Sequence, residues 1–269
     1  MNKTVFVLLS DLVYYERALI TINDLRTIGK WNGDIVLITI DFNHDNKYDV
    51  INVRFPIIDK SYLLNKIGPN GFSNSDKREI NKLKQWEKLH VFDEYFIKWD
   101  RVVYLDAGLR VCDDVKFLLD LDYKNKLLAQ NDASPNYNAD KIFKSQLSFD
   151  NSPVLNKLLL DFGGDSIFNS HYMLNCMWVY DTNILNIFSK SELISAMNSY
   201  PICKTNEMTV MNLIIHFKHK LWHPFPLKAS NGKYLFEWCE LNHSFPTTWR
   251  DYCFIKYPIT LALSQSPYN

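Results

Sequence analysis

Two apolar runs flank one amphipathic stretch at the start of the chain, and this arrangement restricts the fold more than any other feature. Residues 4–9 (TVFVLL) and 34–41 (DIVLITID) are each too short for a buried helix and rich in β-branched side chains, so both read as buried strands. Between them, residues 15–28 place Leu19, Ile22, Leu25 and Ile28 at i, i+3, i+6 and i+9, the spacing of one helix face. Strand, helix and strand in that order predict a parallel pair joined by a right-handed crossover. The expected architecture is therefore α/β, with a central mostly parallel sheet flanked by helices.

The rest of the chain continues the pattern. Residues 48–55 read as a third strand, 59–76 as a loop around Gly68-Pro69-Asn70-Gly71, and 77–96 as a long helix with Ile80, Leu83, Trp86, Leu89, Val91 and Phe92 inward. A short core strand over Val102–Leu105 stops at Asp106, with Gly108 two residues on, where a turn needs backbone angles other residues adopt at a cost. Asp113 reads as the cap of a short helix over 114–119, and residues 126–131 form the next strand, ending in Asp132. Ser152-Pro153 opens a helix to Phe162, closed by Gly163-Gly164. Residues 172–180 form a strand, 191–200 and 205–218 form helices, and 221–226, with two prolines, form an edge strand. From Lys228 onward the chain is aromatic-rich and irregular.

We find no repeat, low-complexity tract or linker in the 269 residues, so one domain is expected, with residues 1–125 as its first half and 126–269 as its second. Thirty basic residues balance thirty acidic ones, which leaves no bulk field to attract nucleic acid. Five cysteines without a CxxC pair argue against a zinc site or a disulfide framework and fit a reducing, cytoplasmic compartment. The first apolar run breaks at Ser10-Asp11, too early for a signal peptide, and no run approaches a membrane span.

Asp106 stands at the carboxyl end of a core strand, where open α/β sheets bind their ligands. Tyr104-Leu105-Asp106-Ala107-Gly108 resembles the "YLDAD" signature of GT-A glycosyltransferases, the family 8 type in particular, with Gly108 in place of the second acid. Other segments resemble that family in the same order, from about residue 4 to about residue 226. Ser10-Asp11-Leu12-Val13-Tyr14 matches the base-binding turn, and Lys88 a helix lysine before the central strand. Asn131-Asp132 matches a strand-end acid, Tyr172–Thr182 the "FNSGVMLIDT" strand, and Asn206-Glu207 the "DQxxLN" helix start. His243 with Trp249, and then Lys256-Tyr257-Pro258, is a loose echo of "HxxGxxKPW", and His223 is a second candidate for its histidine.

The resemblance implies a nucleotide-diphospho-sugar transferase of GT-A fold. It implies a nucleotide-sugar donor, UDP-sugar above all, a glycan or glycoprotein hydroxyl as acceptor, and retention of anomeric configuration. On it, Ser10, Asp11, Tyr14, Lys88, Asp106, Ala107, Gly108 and Asp132 bind nucleotide and donor, with Tyr15 as the fallback for base stacking. Asn175, Asp132 and Glu207 take part in sugar positioning and catalysis. Asp106 and His243 are left as ligands for Mn²⁺ or Mg²⁺, and Arg110, Arg250 and Lys256 are cations able to carry diphosphate charge instead.

Each position also has a plain structural reading. Asp106 and Asp132 could cap turns, Tyr14 could pack, Lys88 and Arg110 could be solvated, and Glu207 could complement a helix dipole. Cys176 has no evident base and reads as an inert buried thiol. With the second acid missing, the alternative is a degenerate GT-A domain that binds a nucleotide sugar or glycan without transferring it. A sugar-nucleotide-forming nucleotidyltransferase is disfavoured, because residues 10–15 carry neither glycine nor a basic residue.

Overall fold

The computed structural model describes residues 3–44, 48–67, 80–133, 141–238 and 249–256. Its strands, in chain order, are β1 (Thr4–Ser10), β2 (Asp34–Thr39), β3 (Ile51–Val53), β4 (Arg101–Asp106), β5 (Leu109–Val111), β6 (Leu127–Asn131), β7 (Met173–Asp181), β8 (Trp222–Pro224), β9 (Tyr234–Trp238) and β10 (Tyr252–Lys256). A seven-stranded sheet runs β3-β2-β1-β4-β7-β6-β8. All its neighbours are parallel except β7, which runs antiparallel between β4 and β6. The carboxyl ends of β1, β4 and β6 and the amino end of β7 therefore share one edge.

The apolar runs are continuous because both faces of the sheet are covered. Val5, Val7, Val36, Ile38, Val102 and Tyr104 enter one core layer, while Phe6, Leu8, Ile35, Leu37, Val103 and Leu105 enter the other. Helix α1 (Tyr15–Thr27) covers the second layer with Ala18, Leu19, Ile22 and Leu25. The first layer receives Trp86, Leu89 and Phe92, and also Leu193 and Val210 from later helices. Burying each large apolar side chain contributes about 1.5–3 kcal/mol.

Several elements differ from the sequence expectation. Within 59–76, Ser61–Ile67 forms helix α2. The single helix expected over 77–96 is a tight 3₁₀ run, Ile80–Phe92, and a separate turn, Glu94–Lys98. Asp93 makes the break: its backbone is extended, and its side chain accepts from the Tyr95 amide to start the second turn. The third strand shrinks to Ile51–Val53. Asn151, rather than Ser152, caps helix α3 (Ser152–Phe162), and Asp114, rather than Asp113, caps Val115–Leu119. Helix α4 (Lys190–Ser199) is close to its expected span. The next helix changes gauge, from α5 (Glu207–Met211) to a wider π segment, Asn212–Lys218.

The largest departure lies after Lys228, where the sequence pattern predicts an irregular tail. A second, three-stranded sheet of order β5-β10-β9 forms there. β10 pairs antiparallel with β5, placing Lys256 opposite Leu109, and parallel with β9, placing Lys256 beside Trp238. The end of β10 is thereby attached three residues beyond Asp106.

Candidate active site

The turn after Asp106 is held from beneath by helix α1. Gly108 has φ +83°, so the chain turns there from β4 into β5 of the second sheet with a backbone conformation that strains other residues. Its amide donates to Thr21 Oγ1 at 3.2 Å, and the Thr21 hydroxyl donates to the Leu109 carbonyl at 2.8 Å. One helical turn on, Asp24 accepts from Arg110 Nε at 2.6 Å and Nη2 at 3.2 Å, and from the Val111 amide at 3.3 Å. Thr21 and Asp24 are not among the sequence candidates. Their signal is two polar residues one turn apart beside the apolar stripe of α1, a place where solvated side chains are not expected.

Arg110 is positioned by the same contact. It is buried and paired with Asp24 in a fork, which holds its guanidinium against helix α1.

Above the turn, four ionisable side chains and two polar partners converge from five elements. Lys88, on the 3₁₀ run before β4, is buried, with Nζ 2.9 Å from Asp106 Oδ1 and 3.3 Å from Glu207 Oε1. It also donates to the Asn175 carbonyl at 3.3 Å. The Asn175 amide donates to Glu207 Oε1 at 2.6 Å, and the Tyr104 hydroxyl to Asp106 Oδ1 at 2.8 Å. Lys256, at the end of β10, lies 3.2 Å from Asp106 Oδ2 and donates to the Ala107 carbonyl at 3.2 Å. Glu207 Oε2 is buried with no hydrogen-bond partner among the described residues. A buried, unsatisfied carboxylate oxygen has a full desolvation cost and is a site for an incoming donor group.

Local structure sets these positions. Asn212, one turn beyond Glu207, accepts from the Met173 amide at 2.9 Å and donates to the Met173 carbonyl at 3.1 Å. That lock fixes α5 to the amino end of β7 and brings Glu207 against Asn175. Asn206, just before Glu207, is held at φ 53° and ψ −126°, far from any ordinary basin, and its side chain donates to Gln85 Oε1 at 3.1 Å. A non-glycine residue in such a conformation stores about 1–3 kcal/mol and often marks a functional position.

Burial and charge compete throughout the cluster. Burial alone would push the Lys88 ammonium down; the Asp106 and Glu207 carboxylates overcome it and hold Lys88 above the usual lysine range. Burial pushes Asp106 up, but Lys256 and Lys88 hold it below the usual carboxylate range. For Glu207 burial prevails over Lys88, and its carboxyl lies above the usual value. Cys176 is pushed up to about 12 by burial and by Asp106, so it is a protonated thiol here.

The donor set does not fit a divalent cation. Mg²⁺ and Mn²⁺ prefer several unencumbered oxygens around one centre. Here Asp106 Oδ1 already accepts from Lys88 and Tyr104, Oδ2 faces Lys256, and a glycine stands where a second acid would contribute. Among the described residues no group of three or more His, Cys, Asp or Glu is arranged to hold a metal. His243 lies outside the described residues, and His223 is exposed on the edge strand β8.

Asp132, Ser10 and Asp11 stand at or just after strand ends on the same sheet edge, and Arg250 lies in the turn before β10. Asp132, after β6, accepts from the Tyr172 hydroxyl and lies 3.4 Å from Lys141 Nζ. Ser10 ends β1, and its hydroxyl donates to the Asp11 carbonyl at 2.7 Å. Asp11 caps the turn Leu12–Tyr14, accepting from the Tyr14 amide at 3.0 Å, and is bridged by Lys84 at 3.1 Å. Tyr14 is half-buried, with the Arg17 guanidinium 5.8 Å from its ring centre, while Tyr15 packs edge-on against Phe42. Arg250 is exposed, its guanidinium 4.4 Å from the ring centre of its neighbour Trp249. Of the three proposed phosphate cations, Lys256 is the one the fold brings into contact with Asp106.

No protein-family model matches the chain, and no curated protein matches it in sequence. Solved structures do match in shape. The WbbM bifunctional glycosyltransferase in its apo form aligns with a TM-score of 0.59 at 14% identity, covering 95% of this chain and 46% of that one. The chain thus spans about half the length of that protein. An active-site mutant of LgtC aligns with a TM-score of 0.59 at 11% identity, over 94% of this chain and 86% of that one. Core-mannan synthase A from Aspergillus fumigatus, in a Mn/GDP form, aligns with a TM-score of 0.51 at 11% identity, over 84% and 73%. At these identities the likeness is one of fold, and the fold is GT-A, with a mostly parallel central sheet between helical layers.

Proposed function

We propose that this chain is a glycosyltransferase that moves a sugar from a nucleoside diphosphate donor, a UDP-sugar, to a hydroxyl of a glycan or glycoprotein, with retention of configuration. The observation that carries the reading is the convergence of Asp106, Lys88, Asn175 and Glu207 at the carboxyl edge of a GT-A sheet. Two carboxylates and an ammonium fixed in a buried position form a preorganised field, whose effect on developing charge is much larger than in water. Glu207 Oε2, buried and without a hydrogen-bond partner among the described residues, is open to a hydroxyl of the substrate.

In the proposed reaction the bond between the anomeric carbon and the β-phosphate oxygen breaks, and its electron pair leaves with the diphosphate. The acceptor oxygen bonds to the anomeric carbon, and its proton passes to a departing phosphate oxygen. Glu207 faces the oxocarbenium-like centre and stabilises its positive charge. Asn175 orients Glu207 and contacts the sugar, and Asp132 accepts from donor-sugar hydroxyls. Ser10, Asp11 and Tyr14 receive the base, and Asp106 with Ala107 lies along the ribose and diphosphate.

The test is a panel of UDP-, GDP- and dTDP-sugars, assayed for free nucleoside diphosphate with and without candidate glycan acceptors. Release from UDP-sugars alone is the expected result. Release only from GDP-sugars overturns the donor assignment. Binding without release or transfer points to a donor-binding domain and overturns the enzyme reading.

A further inference from the structure

The cluster around Asp106 is neutral as it stands: two carboxylates, Asp106 and Glu207, against two ammonium groups, Lys88 and Lys256. The two lysines approach Asp106 from different parts of the fold. Lys88 comes from the helical run that precedes β4 and touches Oδ1; Lys256 comes from the second sheet and touches Oδ2. Lys88 is buried and Lys256 largely so, with relative side-chain exposures of 8% and 13%. The lysine pair thus brackets the one acid of the turn, at the place where a transferring enzyme must neutralise a leaving diphosphate.

We propose that in this chain the charge of the leaving diphosphate is carried by the ammonium group of Lys256, with Lys88 fixed between Asp106 and Glu207, and that donor binding and transfer need no divalent cation. The inference rests on the proposed nucleotide-sugar reading of the same site. Three observations carry it. Both oxygens of Asp106 are already engaged by ammonium groups, so a dication on Oδ1 would sit against the fixed Lys88 charge and one on Oδ2 would have to displace Lys256. Gly108, at φ +83° and tied through its amide to Thr21, supplies no second carboxylate. Lys256 holds one carboxylate and approaches from the second sheet, whereas Lys88 is held by two carboxylates, so Lys256 is the member of the pair that can exchange its partner.

The exchange balances in charge. When the donor enters, Lys256 turns from Asp106 to a diphosphate oxygen, and Lys88 stays between Asp106 and Glu207 as the fixed member of the pair. When the glycosidic bond breaks, the electron pair arrives on a phosphate oxygen that already accepts from Lys256. The acceptor proton joins the departing diphosphate, and no further co-reactant is required.

The experiment is calorimetric titration of UDP and GDP into chain stripped with EDTA, repeated with added Mn²⁺ or Mg²⁺. UDP should bind equally well, within about threefold, in EDTA and in metal. Lys256→Met should weaken binding in EDTA by about tenfold or more, the loss of one charge-assisted hydrogen bond, and Lys256→Arg should restore most of it. Thermal unfolding of both variants separates this loss from misfolding. Binding that appears only with metal overturns the inference and leaves the proposed function standing. Unchanged affinity in Lys256→Met also overturns it. If neither nucleotide binds under any condition, the proposed function fails first and takes the inference with it.

Discussion

Arg110 and Asp24, 86 residues apart in sequence, form a buried fork in which Nε and Nη2 of the arginine meet the two oxygens of the carboxylate at 2.6 and 3.2 Å. The pair fastens the strand after the Asp106 turn to the first helix, so the position of this candidate donor-binding acid depends on a remote ion pair.

That dependence is measurable. Removing one partner leaves a buried charge uncompensated, and either Arg110→Ala or Asp24→Ala should destabilise the chain by about 3–5 kcal/mol in denaturant unfolding. Replacing both, Arg110→Met with Asp24→Leu, should recover most of that stability. A double variant that loses as much as the two single variants added together would show that the pair is uncoupled.

Asp106 should be indispensable to turnover. Asp106→Ala removes the acceptor shared by Lys88, Lys256 and Tyr104, and nucleoside diphosphate release should fall by about a hundredfold or more, the scale seen when one preorganised group is deleted. Unchanged release in a folded Asp106→Ala protein places the active site elsewhere.

The acid limb of activity should belong to Glu207. Burial raises its carboxyl above the usual glutamate value, so the ionised form is lost at a higher pH than for an exposed glutamate. A pH profile of kcat/KM should fall on the acid side from above the ordinary glutamate range. Glu207→Gln should show low activity without that limb; the same limb in the variant assigns it to another group.

Gly108→Asp tests the turn directly. An aspartate there must adopt φ near +83°, while its Cβ meets the Arg17 side chain at an ordinary 3.5–3.6 Å. The backbone conformation should cost about 1–2 kcal/mol in unfolding experiments, and the added carboxylate should make nucleotide binding newly responsive to Mn²⁺. An unaltered metal response would mean that the missing acid is not what sets the metal requirement.

His216 gives a stability test remote from the site. Its ring is packed against Phe217 and Trp222, with centroids 4.3 and 4.7 Å away, and burial lowers its pKa to about 4. The unfolded chain protonates it near its ordinary value while the folded chain resists. The neutral ring's contribution is therefore complete above about pH 6.5 and is lost as the pH falls toward 4. The loss is at most about 3 kcal/mol, and less for a half-buried ring. His216→Phe should flatten denaturant stability between those values; an unchanged acid limb would place the titration in other groups.

Local pattern makes much of this protein legible. The runs at β1, β2 and β4 are apolar enough to be buried on both faces, and the helix between the first two shows its inward stripe. These features imply a parallel sheet and place Asp106 at its ligand-binding edge. The same reasoning marks Lys88, Asn175 and Glu207 one by one, because a polar residue at a strand or helix end within an apolar setting stands out.

What pattern cannot supply are the pairings between distant parts of the chain. Nothing local to Arg110 says that it turns to Asp24, and nothing near Lys256 says that its strand pairs beside β5, 149 residues after the carbonyl its side chain reaches. The helical run before β4 departs from expectation for a related reason: its gauge and its break at Asp93 are set by packing and capping, and 3.6-residue periodicity is blind to both. The layers, the sheet edge and the single acid at the turn follow from local pattern, since hydrophobic burial and backbone preference act residue by residue. The bracketing of this acid by two lysines, and the pairing of the nearby arginine with Asp24 in the core, arise in the folded chain, because an ion pair depends on where two remote segments meet.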